Sequence, residues 1–312
     1  MRPTFQTLKL TDVLVEEKKI RVVLKDMKPG GERRIVGGAV AKPTRPSAAR
    51  EKTRGAGARR AFDAWPKITA KCRQAPYLAM FLDFDGTLVG FQRRPSDVKL
   101  PERAKRILAR LAERDNLFLA IISGRKRADL VRLIGLRGVE LFGLQGSERS
   151  KAKPTINRAA KRALSSAKRE ASSLLAGTPG IWIEDKGAIF TIHYRGAKPA
   201  SVEHAWKILT RILAPSMDRL HVLHGAKSWE VLPIEIGGKG AAVLAQLREM
   251  PEGTVAVYIG DDGTDETALA ALKDHISVRV GEGKNTKANF YLSDPSEVLQ
   301  FLNRLEREIS RP

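Results

Sequence analysis

Apolar runs of strand length alternate with amphipathic segments over residues 76–149 and again over residues 231–312. Runs such as YLAMFL, LFLAII and TVAVYI carry few polar residues, which is typical of strands that are buried on both faces of a sheet. The segments between the runs, such as PERAKRILARLAERDN, place apolar residues at helical spacing. Strands that alternate with helices in this way predict an α/β domain with a Rossmann-like parallel sheet.

The pattern changes over residues 150–230, where the predicted strands come in adjacent pairs. A long basic helix is predicted for TINRAAKRALSSAKREASSLLAG, and IWIEDKGAIFTIHYR follows it as two strands joined at a Lys-Gly turn. A further helix then leads to a second pair of strands in LHVLHGAKSWEVLP. Adjacent pairs indicate an antiparallel sheet, so we expect a smaller α+β domain inserted into the α/β core.

Composition sets the N-terminal part of the chain apart. The 312 residues are 42% hydrophobic, which is enough to build a sizeable core, and carry a net charge of +21. Residues 1–75 hold 19 Lys and Arg against 7 Asp and Glu, and Gly, Pro, Ala and Arg dominate residues 28–60. This composition is typical of a flexible linker, so we expect residues 1–75 to form a largely flexible basic extension.

Several classes of protein are disfavoured by the same features. No apolar run approaches the length of about 18 residues that crosses a bilayer, and the first residues lack the pattern of a secretory signal. The only cysteine, Cys72, excludes an internal disulfide and fits a reducing compartment. We therefore expect a cytoplasmic protein without a membrane partner. Binding of nucleic acid stays open only through the basic extension, for which a solvated tail is the simpler interpretation.

Polar side chains follow three of the predicted buried strands at the point where each strand ends. These residues are Asp83, Asp85, Ser123, Asp261, Asp262 and Asp265. Because ligands bind outside the carboxyl ends of strands in open α/β sheets, we expect these side chains at one edge. Burying paired carboxylates is unfavourable unless a cation compensates them. Oxygen-only ligands favour a hard cation, so the sequence predicts Mg²⁺ among them, with Lys239 nearby.

Four motifs, DFDGT, SGR, GGKG and GDDGTDE, occur in this order and resemble those of the haloacid-dehalogenase-type phosphatases. The resemblance covers about residues 76–305 and implies that Asp83 attacks phosphorus while Asp85 serves as general acid and base. It implies that Lys239 neutralises the charge of the nucleophile and of the phosphate. The phosphate-binding residues implied are Thr87, Ser123, Gly124 and Lys239. The Mg²⁺ site implied comprises Asp83, the carbonyl group of Asp85, Asp261 and, in a water-mediated or outer position, Asp265.

The segments WIEDKGAIFTIHYR, GAKSWEVLP, GGKG and GDDGTDE together resemble, more narrowly, the trehalose-6-phosphate phosphatase family. This resemblance implies that residues 150–230 are a cap that closes over a sugar-phosphate substrate, and that the core comprises residues 76–149 and 231–312. We expect a monomer. The residues that would meet the disaccharide are Arg125, Glu148, Glu184, Lys186, Arg195, Lys227 and Glu230. For Glu184 and Lys186 the simpler alternative is an ion pair across the hairpin.

Three positions depart from the pattern of that family. Gln145 stands where a histidine is common, Gly263 where an arginine is common, and Thr267 where an acidic residue often occurs. These departures leave the catalytic positions intact but bear on the choice of sugar. The alternatives are a phosphatase of sucrose 6-phosphate or of a glycosyl-phosphoglycerate, and a nucleic-acid-binding protein that acts through its basic tail.

Overall fold

The computed structural model describes residues 58–90, 98–150 and 155–310. Within these ranges the chain forms strands in two separate sheets. The strands are β1 (Arg59–Arg60), β2 (Leu78–Leu82), β3 (Leu117–Ile122), β4 (Val139–Phe142), β5 (Trp182–Asp185), β6 (Phe190–His193), β7 (Leu220–Gly225), β8 (Ser228–Pro233), β9 (Val255–Gly260), β10 (Ile276–Val280) and β11 (Phe290–Leu292). The α-helices are α1 (Trp65–Gln74), α2 (Glu102–Ala112), α3 (Arg127–Ile134), α4 (Arg158–Leu174), α5 (Pro199–Leu213), α6 (Gly238–Leu247), α7 (Glu266–Ala271) and α8 (Pro295–Ile309).

The larger sheet has the strand order β1-β11-β10-β9-β2-β3-β4, and every pair of neighbours in it is parallel. Strand β2 lies near its centre and is buried along its whole length. Its alternate residues face opposite sides of the sheet, so Met80 packs in the cluster that contains α2 and α8, while Phe81 packs with residues of α6 and α7. The predicted parallel-sheet α/β core is confirmed.

The smaller sheet is antiparallel, in the order β5-β6-β8-β7, and lies between β4 and α6 in the chain. Helices α4 and α5 pack on one face of it, where Leu164 and Leu209 meet Val231 in a separate apolar cluster. Because side chains alternate along β8, the neighbouring Glu230 lies on the other face. The predicted α+β insert is confirmed, and its last strand runs on to Pro233, slightly past the boundary we placed at residue 230.

The boundary that we placed after residue 75 needs correction, because residues 58–75 belong to the core. Strand β1 pairs with β11, and α1 begins at Trp65 with a proline in its first turn, where proline is well tolerated. Trp65 is 5% exposed and meets the ring of Phe301 edge to face at 5.3 Å. The rest of the predicted extension, residues 1–57, lies outside the described residues, so its flexibility stays a prediction.

In the described ranges, no helix combines the length and the apolar character that crossing a membrane requires.

Candidate active site

The carboxyl ends of β2 and β9 bring Asp83 and Asp261 together. The amide N–H of Asp83 donates to the carbonyl oxygen of Ile259 at 2.9 Å, which joins the two strand ends. Gly86 follows in a left-handed conformation, with φ at 87°. A Cβ atom at Gly86 would lie 2.2 Å from Oδ2 of Asp261, so only glycine allows the two loops to approach this closely.

Lys239, in the first turn of α6, joins two of the carboxylates. Its ammonium nitrogen lies 2.6 Å from Oδ1 of Asp83 and 2.7 Å from Oδ1 of Asp265, and the residue is 2% exposed. The hydroxyl of Tyr258 donates to the same Oδ1 of Asp265 at 2.6 Å. The other oxygen of Asp265 accepts from the amide N–H groups of Asp261 and Asp262. Asp265 therefore anchors both the lysine and the loop after β9.

Asp83, Asp261 and Asp265 form an acidic triad in which one oxygen of each lies within 4.8 Å of the others. Burial raises the pKa of Asp83 well above its ordinary value, although the charge of Lys239 opposes this. Burial, followed by the charges of Asp265 and Asp262, raises the pKa of Asp261 to about 7. Burial also acts to raise the pKa of Asp265, but Lys239 and its hydrogen bonds hold it below the ordinary value.

This triad fits a metal ion by the chemistry of its donor atoms. Three carboxylates share one ammonium group, so negative charge is left that a cation would neutralise, and oxygen is the donor that hard cations prefer. Asp83 and Asp261 have the more available oxygens, because both oxygens of Asp265 are already hydrogen-bonded. The hydroxyl of Thr87 donates to Oδ1 of Asp261 at 3.3 Å and so helps to hold that side chain in place.

Asp85 lies outside the triad and binds Arg125 instead. Nε of Arg125 lies 2.6 Å from Oδ2 of Asp85, and Nη2 lies 2.7 Å from Oδ1, so the ion pair is bidentate. The guanidinium group also lies over the ring of Phe84, at 5.5 Å from its centre. The amide N–H of Arg125 donates to the hydroxyl of Ser123, which is 2% exposed. The sequence predicted that Arg125 meets the sugar, which stays a prediction; in the structure its guanidinium group binds Asp85, the residue predicted to be the general acid and base.

Lys186 and Glu230, two of the residues predicted to bind the sugar, contact the core. The ammonium nitrogen of Lys186 donates to the carbonyl oxygen of Gly124 and to Oε1 of Glu230, each at 3.0 Å. Glu230 accepts from the side-chain amide of Gln145 through its other oxygen. A Cβ atom at Gly124 would lie 2.9 Å from both Gln145 and Glu230, so the absence of a side chain there makes room for this contact.

Of the other predicted sugar contacts, Glu184 borders this cluster and the rest have other partners. Glu184 accepts from His193 at 2.9 Å and lies 3.8 Å from Lys186, so the ion pair of the simpler interpretation is present. Arg195 donates to the carbonyl oxygen of Ala226. Glu148, in the core, accepts from the amide N–H of Arg127 at the start of α3. Lys227, in the cap, is exposed in the β7–β8 turn.

Arg195 and Lys227 instead line a cleft on the helix side of the cap, with a volume of about 510 Å³. Tyr194, Trp206 and Trp229 are among the other residues that line it.

The comparisons with known proteins agree with this geometry. A family model described as trehalose-phosphatase matches residues 81–296. The chain belongs to the trehalose-phosphatase family. The resemblance that the motifs indicated is therefore confirmed.

Individual proteins of known name align with most of this chain. A trehalose-phosphate phosphatase of Mycobacterium tuberculosis (strain ATCC 25618 / H37Rv) is 34% identical over 246 residues, which are 74% of this chain and 62% of the relative. The chain thus matches less than two thirds of the mycobacterial protein. A trehalose-6-phosphate phosphatase of Escherichia coli (strain K12) is 29% identical over 245 residues, covering 77% of this chain and 88% of the relative. The fold resembles that of the C-terminal domain of trehalose-6-phosphate phosphatase from C. albicans, with a TM-score of 0.65, 24% identity, and coverage of 78% and 96%.

Two departures from the common pattern of the trehalose-phosphatase family have structural counterparts. A Cβ atom at Gly263 would lie 2.3 Å from the carbonyl oxygen of His224, so a glycine lets the β7–β8 hairpin of the cap lie against the core. Asp262, next to it, accepts from the amide N–H of Ala226 in the same hairpin at 3.1 Å. The hydroxyl of Thr267 accepts from the amide N–H of Gly240 at 3.2 Å and ties α7 to α6.

Sequence reasoning missed two participants in this trehalose-phosphatase site. Tyr258 was counted only as an apolar residue of β9, although a buried phenol needs a hydrogen-bond partner, and that requirement was the available signal. Gln145 was identified only as a departure, and nothing in the sequence indicated that it would reach Glu230 across 85 residues.

Proposed function

We propose that the protein hydrolyses trehalose 6-phosphate to trehalose and phosphate, as a step of trehalose biosynthesis. The observation that carries this proposal is the buried contact of Lys239 with Asp83, beside Asp261, at the strand ends of a chain that belongs to the trehalose-phosphatase family. A phosphate monoester is hydrolysed extremely slowly without a catalyst, so the site must neutralise charge and hold the reacting atoms in line.

In the first step, an oxygen of Asp83 attacks phosphorus, and the bond between phosphorus and the sugar oxygen breaks. Asp85 gives its proton to the departing sugar oxygen, which leaves as the free hydroxyl of trehalose. In the second step, Asp85 takes a proton from water, and the resulting hydroxide attacks the phosphorus of the aspartyl phosphate. Phosphate then leaves and the carboxylate of Asp83 is restored. Lys239 stabilises the negative charge near Asp83 in both steps.

Mg²⁺ is the cation that we propose for the acidic triad. Asp83, Asp261 and the carbonyl group of Asp85 would hold it directly, and Asp265 would act through water or as an outer ligand. When bound, it would neutralise charge on the attacking carboxylate and on the phosphoryl oxygens. Thr87, Ser123, Gly124 and Lys239 are the residues that we propose for binding the phosphoryl group.

For the sugar, we propose Lys186 and Glu230 as the principal contacts, because both lie at the boundary between cap and core. Their carboxylate and ammonium groups suit hydroxyls, each of which donates and accepts hydrogen bonds. Contacts of Glu184, Arg195, Lys227 and Glu148 with the sugar stay predictions, and for Arg125 we propose that it positions Asp85 rather than binds the sugar. That the protein is a cytoplasmic monomer, and that any nucleic acid would bind only through the basic N-terminal residues, stay predictions.

The substrate is tested by measuring kcat/KM for phosphate release, with Mg²⁺, from trehalose 6-phosphate, sucrose 6-phosphate and glucose 6-phosphate. We expect trehalose 6-phosphate to be preferred by at least about tenfold, because each hydroxyl that the site binds adds discrimination. A preference for either of the other two sugars would keep the chemistry but contradict the substrate. Absence of turnover with all three would contradict the proposed function.

A further inference from the structure

Gln145 occupies a strained and buried position at the end of β4. It lies in a short 3₁₀ turn, Leu144–Gly146, in which Leu144 and Gln145 both adopt left-handed conformations, with φ at 45° and 60°. Side chains with a Cβ atom disfavour this region, and such strain persists where the surrounding structure enforces it, most often at functional sites. The amide N–H of Gln145 donates to the carbonyl oxygen of Ser123 at 2.9 Å, which ties this turn to the end of β3.

The side-chain amide of Gln145 uses only one of its two ends. Its nitrogen donates to Oε2 of Glu230, and this assigns the orientation of the amide, because a carboxylate only accepts. Its oxygen, Oε1, is buried and has no hydrogen-bond partner among the described residues. The residue as a whole is 3% exposed. Buried polar atoms of this kind are normally paired, so an unpaired acceptor indicates a missing donor.

The groups around Gln145 define what the missing donor is. Glu230, which accepts from Gln145, also accepts from the buried ammonium group of Lys186, and Lys186 donates to the carbonyl oxygen of Gly124 as well. The glutamine thus touches a buried carboxylate, and a buried ammonium group lies on the other side of that carboxylate. Adjacent hydroxyls of a sugar can donate to an amide oxygen and a carboxylate while accepting from an ammonium group. An apolar ligand would leave Oε1 of Gln145 without a donor, which is unfavourable in a buried site.

We propose that Gln145 is a specificity-determining residue, whose side-chain nitrogen holds Glu230 in place and whose Oε1 accepts a hydrogen bond from a hydroxyl of the bound sugar. The inference rests on the proposed function, since it assumes that a sugar phosphate binds at the boundary between cap and core. It adds a requirement on the substrate: the sugar presents one hydroxyl as a donor to Oε1 of Gln145, next to the hydroxyl that contacts Glu230.

The test compares Gln145→Met, which keeps the length of the side chain but removes both ends of the amide, with the parent protein. Two substrates are used: trehalose 6-phosphate, and p-nitrophenyl phosphate, which has no sugar hydroxyl. We expect kcat/KM for trehalose 6-phosphate to fall about 10- to 100-fold, mainly through KM, as the loss of hydrogen bonds to buried groups predicts. The value for p-nitrophenyl phosphate should change less than about threefold, because that substrate makes no contact with the amide.

Gln246→Met is the matched control. Gln246 is also a buried glutamine, at 8% exposed, but it lies in α6 and bonds with Arg149 and Glu249. The Gln246→Met variant should leave the ratio of kcat/KM for trehalose 6-phosphate to kcat/KM for p-nitrophenyl phosphate unchanged. Equal losses on both substrates with Gln145→Met would show a structural role and overturn the proposal, and so would no loss on either.

If Gln145→Met does not fold, Gln145→Asn replaces it, because asparagine tolerates the left-handed conformation and its shorter amide cannot span the same distance. The same loss of discrimination is expected, and an unchanged ratio overturns the proposal. If the parent protein hydrolyses p-nitrophenyl phosphate but not trehalose 6-phosphate, the proposed substrate fails, and this outcome is distinct from a failure of the inference about Gln145.

Discussion

Arg125 holds the carboxylate of Asp85 by two parallel hydrogen bonds, at 2.6 and 2.7 Å. Two bonds from a planar guanidinium group fix the plane of a carboxylate as well as its position. Asp85 is therefore oriented by a residue of the neighbouring strand end, while Asp83, two positions earlier, contacts Lys239. The two carboxylates of the DFDGT motif thus have different cationic partners, which is the physical basis for assigning them different roles.

Replacing Arg125 tests whether it positions Asp85 or binds the sugar. With Arg125→Met, Asp85 loses both hydrogen bonds, and we expect kcat to fall about 10- to 100-fold with a smaller change in KM. Arg125→Lys should recover only part of kcat, since an ammonium group cannot reproduce the two-point geometry. Steady-state kinetics on trehalose 6-phosphate measure both constants. Arg132→Met, which changes an exposed arginine paired with Asp129, is the control and should leave kcat unchanged. A rise in KM with kcat retained would assign Arg125 to the sugar instead.

Lys239→Met should destabilise the protein in the absence of metal. The change leaves the buried carboxylates of Asp83 and Asp265 without their cation, and breaking such a pair lowers the free energy of unfolding by about 3–5 kcal/mol. Urea denaturation measures this quantity. Lys105→Met, which removes the half-buried partner of the exposed Glu102, should change it by less than about 0.5 kcal/mol. Similar effects for both variants would mean that Lys239 does not compensate the buried carboxylates.

The pH dependence of stability follows from the raised pKa of Asp261, which is about 7 in the folded protein. An unfolded aspartate titrates near pH 4, so between about pH 4 and pH 7 the folded protein binds more protons than the unfolded chain does. The metal-free protein should therefore lose stability as the pH rises through this window. Asp265 shifts in the opposite direction, and its contribution is lost only below the window.

Mg²⁺ should reverse this loss, because it binds the ionised carboxylates that become unfavourable in its absence. We expect the increase in Tm on adding Mg²⁺ to be larger at pH 8 than at pH 5. Asp261→Asn should remove most of this difference. An equal increase at both pH values, in the parent protein, would contradict a cation site built on Asp261.

Truncation separates the residues that the core needs from those that precede it. Removing residues 1–57 should leave turnover nearly intact, since every proposed site residue and the whole family match lie beyond them. Removing residues 1–75 also deletes the buried side chains of Trp65 and Ile68, and should lower the free energy of unfolding by more than about 3 kcal/mol. Thermal unfolding and phosphate release measure the two effects. If the longer truncation were as stable as the shorter one, β1 and α1 would not be part of the core.

The sequence predicted those elements whose burial is visible as a pattern of apolar residues. Strand β2 is apolar throughout because both of its faces are covered, and the hairpins of the cap follow from adjacent strands with turn residues between them. Strand β1 has no such apolar pattern. It consists of two exposed arginines held by backbone hydrogen bonds to β11, so its composition matches that of the linker before it.

The site could be predicted as a set of residues but not as a set of contacts. The motifs place Asp83, Lys239 and Asp261 at strand and helix ends that the fold brings together. They do not say which acceptor a long side chain reaches, so the contact of Arg125 with Asp85 was not predicted, and its contact with the sugar stays a prediction. The contact of Gln145 with Glu230 depends on how the cap lies on the core, which no local pattern encodes.

The most direct test of the account is phosphate release from trehalose 6-phosphate, with Mg²⁺, by Asp83→Asn beside Asp63→Asn. Asp63 is an exposed aspartate before α1, so its change should leave kcat intact. Asp83→Asn removes the proposed nucleophile and should lower kcat by at least about a thousandfold, as the loss of a covalent catalyst predicts. Activity of the Asp83→Asn variant within tenfold of the parent protein would contradict the mechanism.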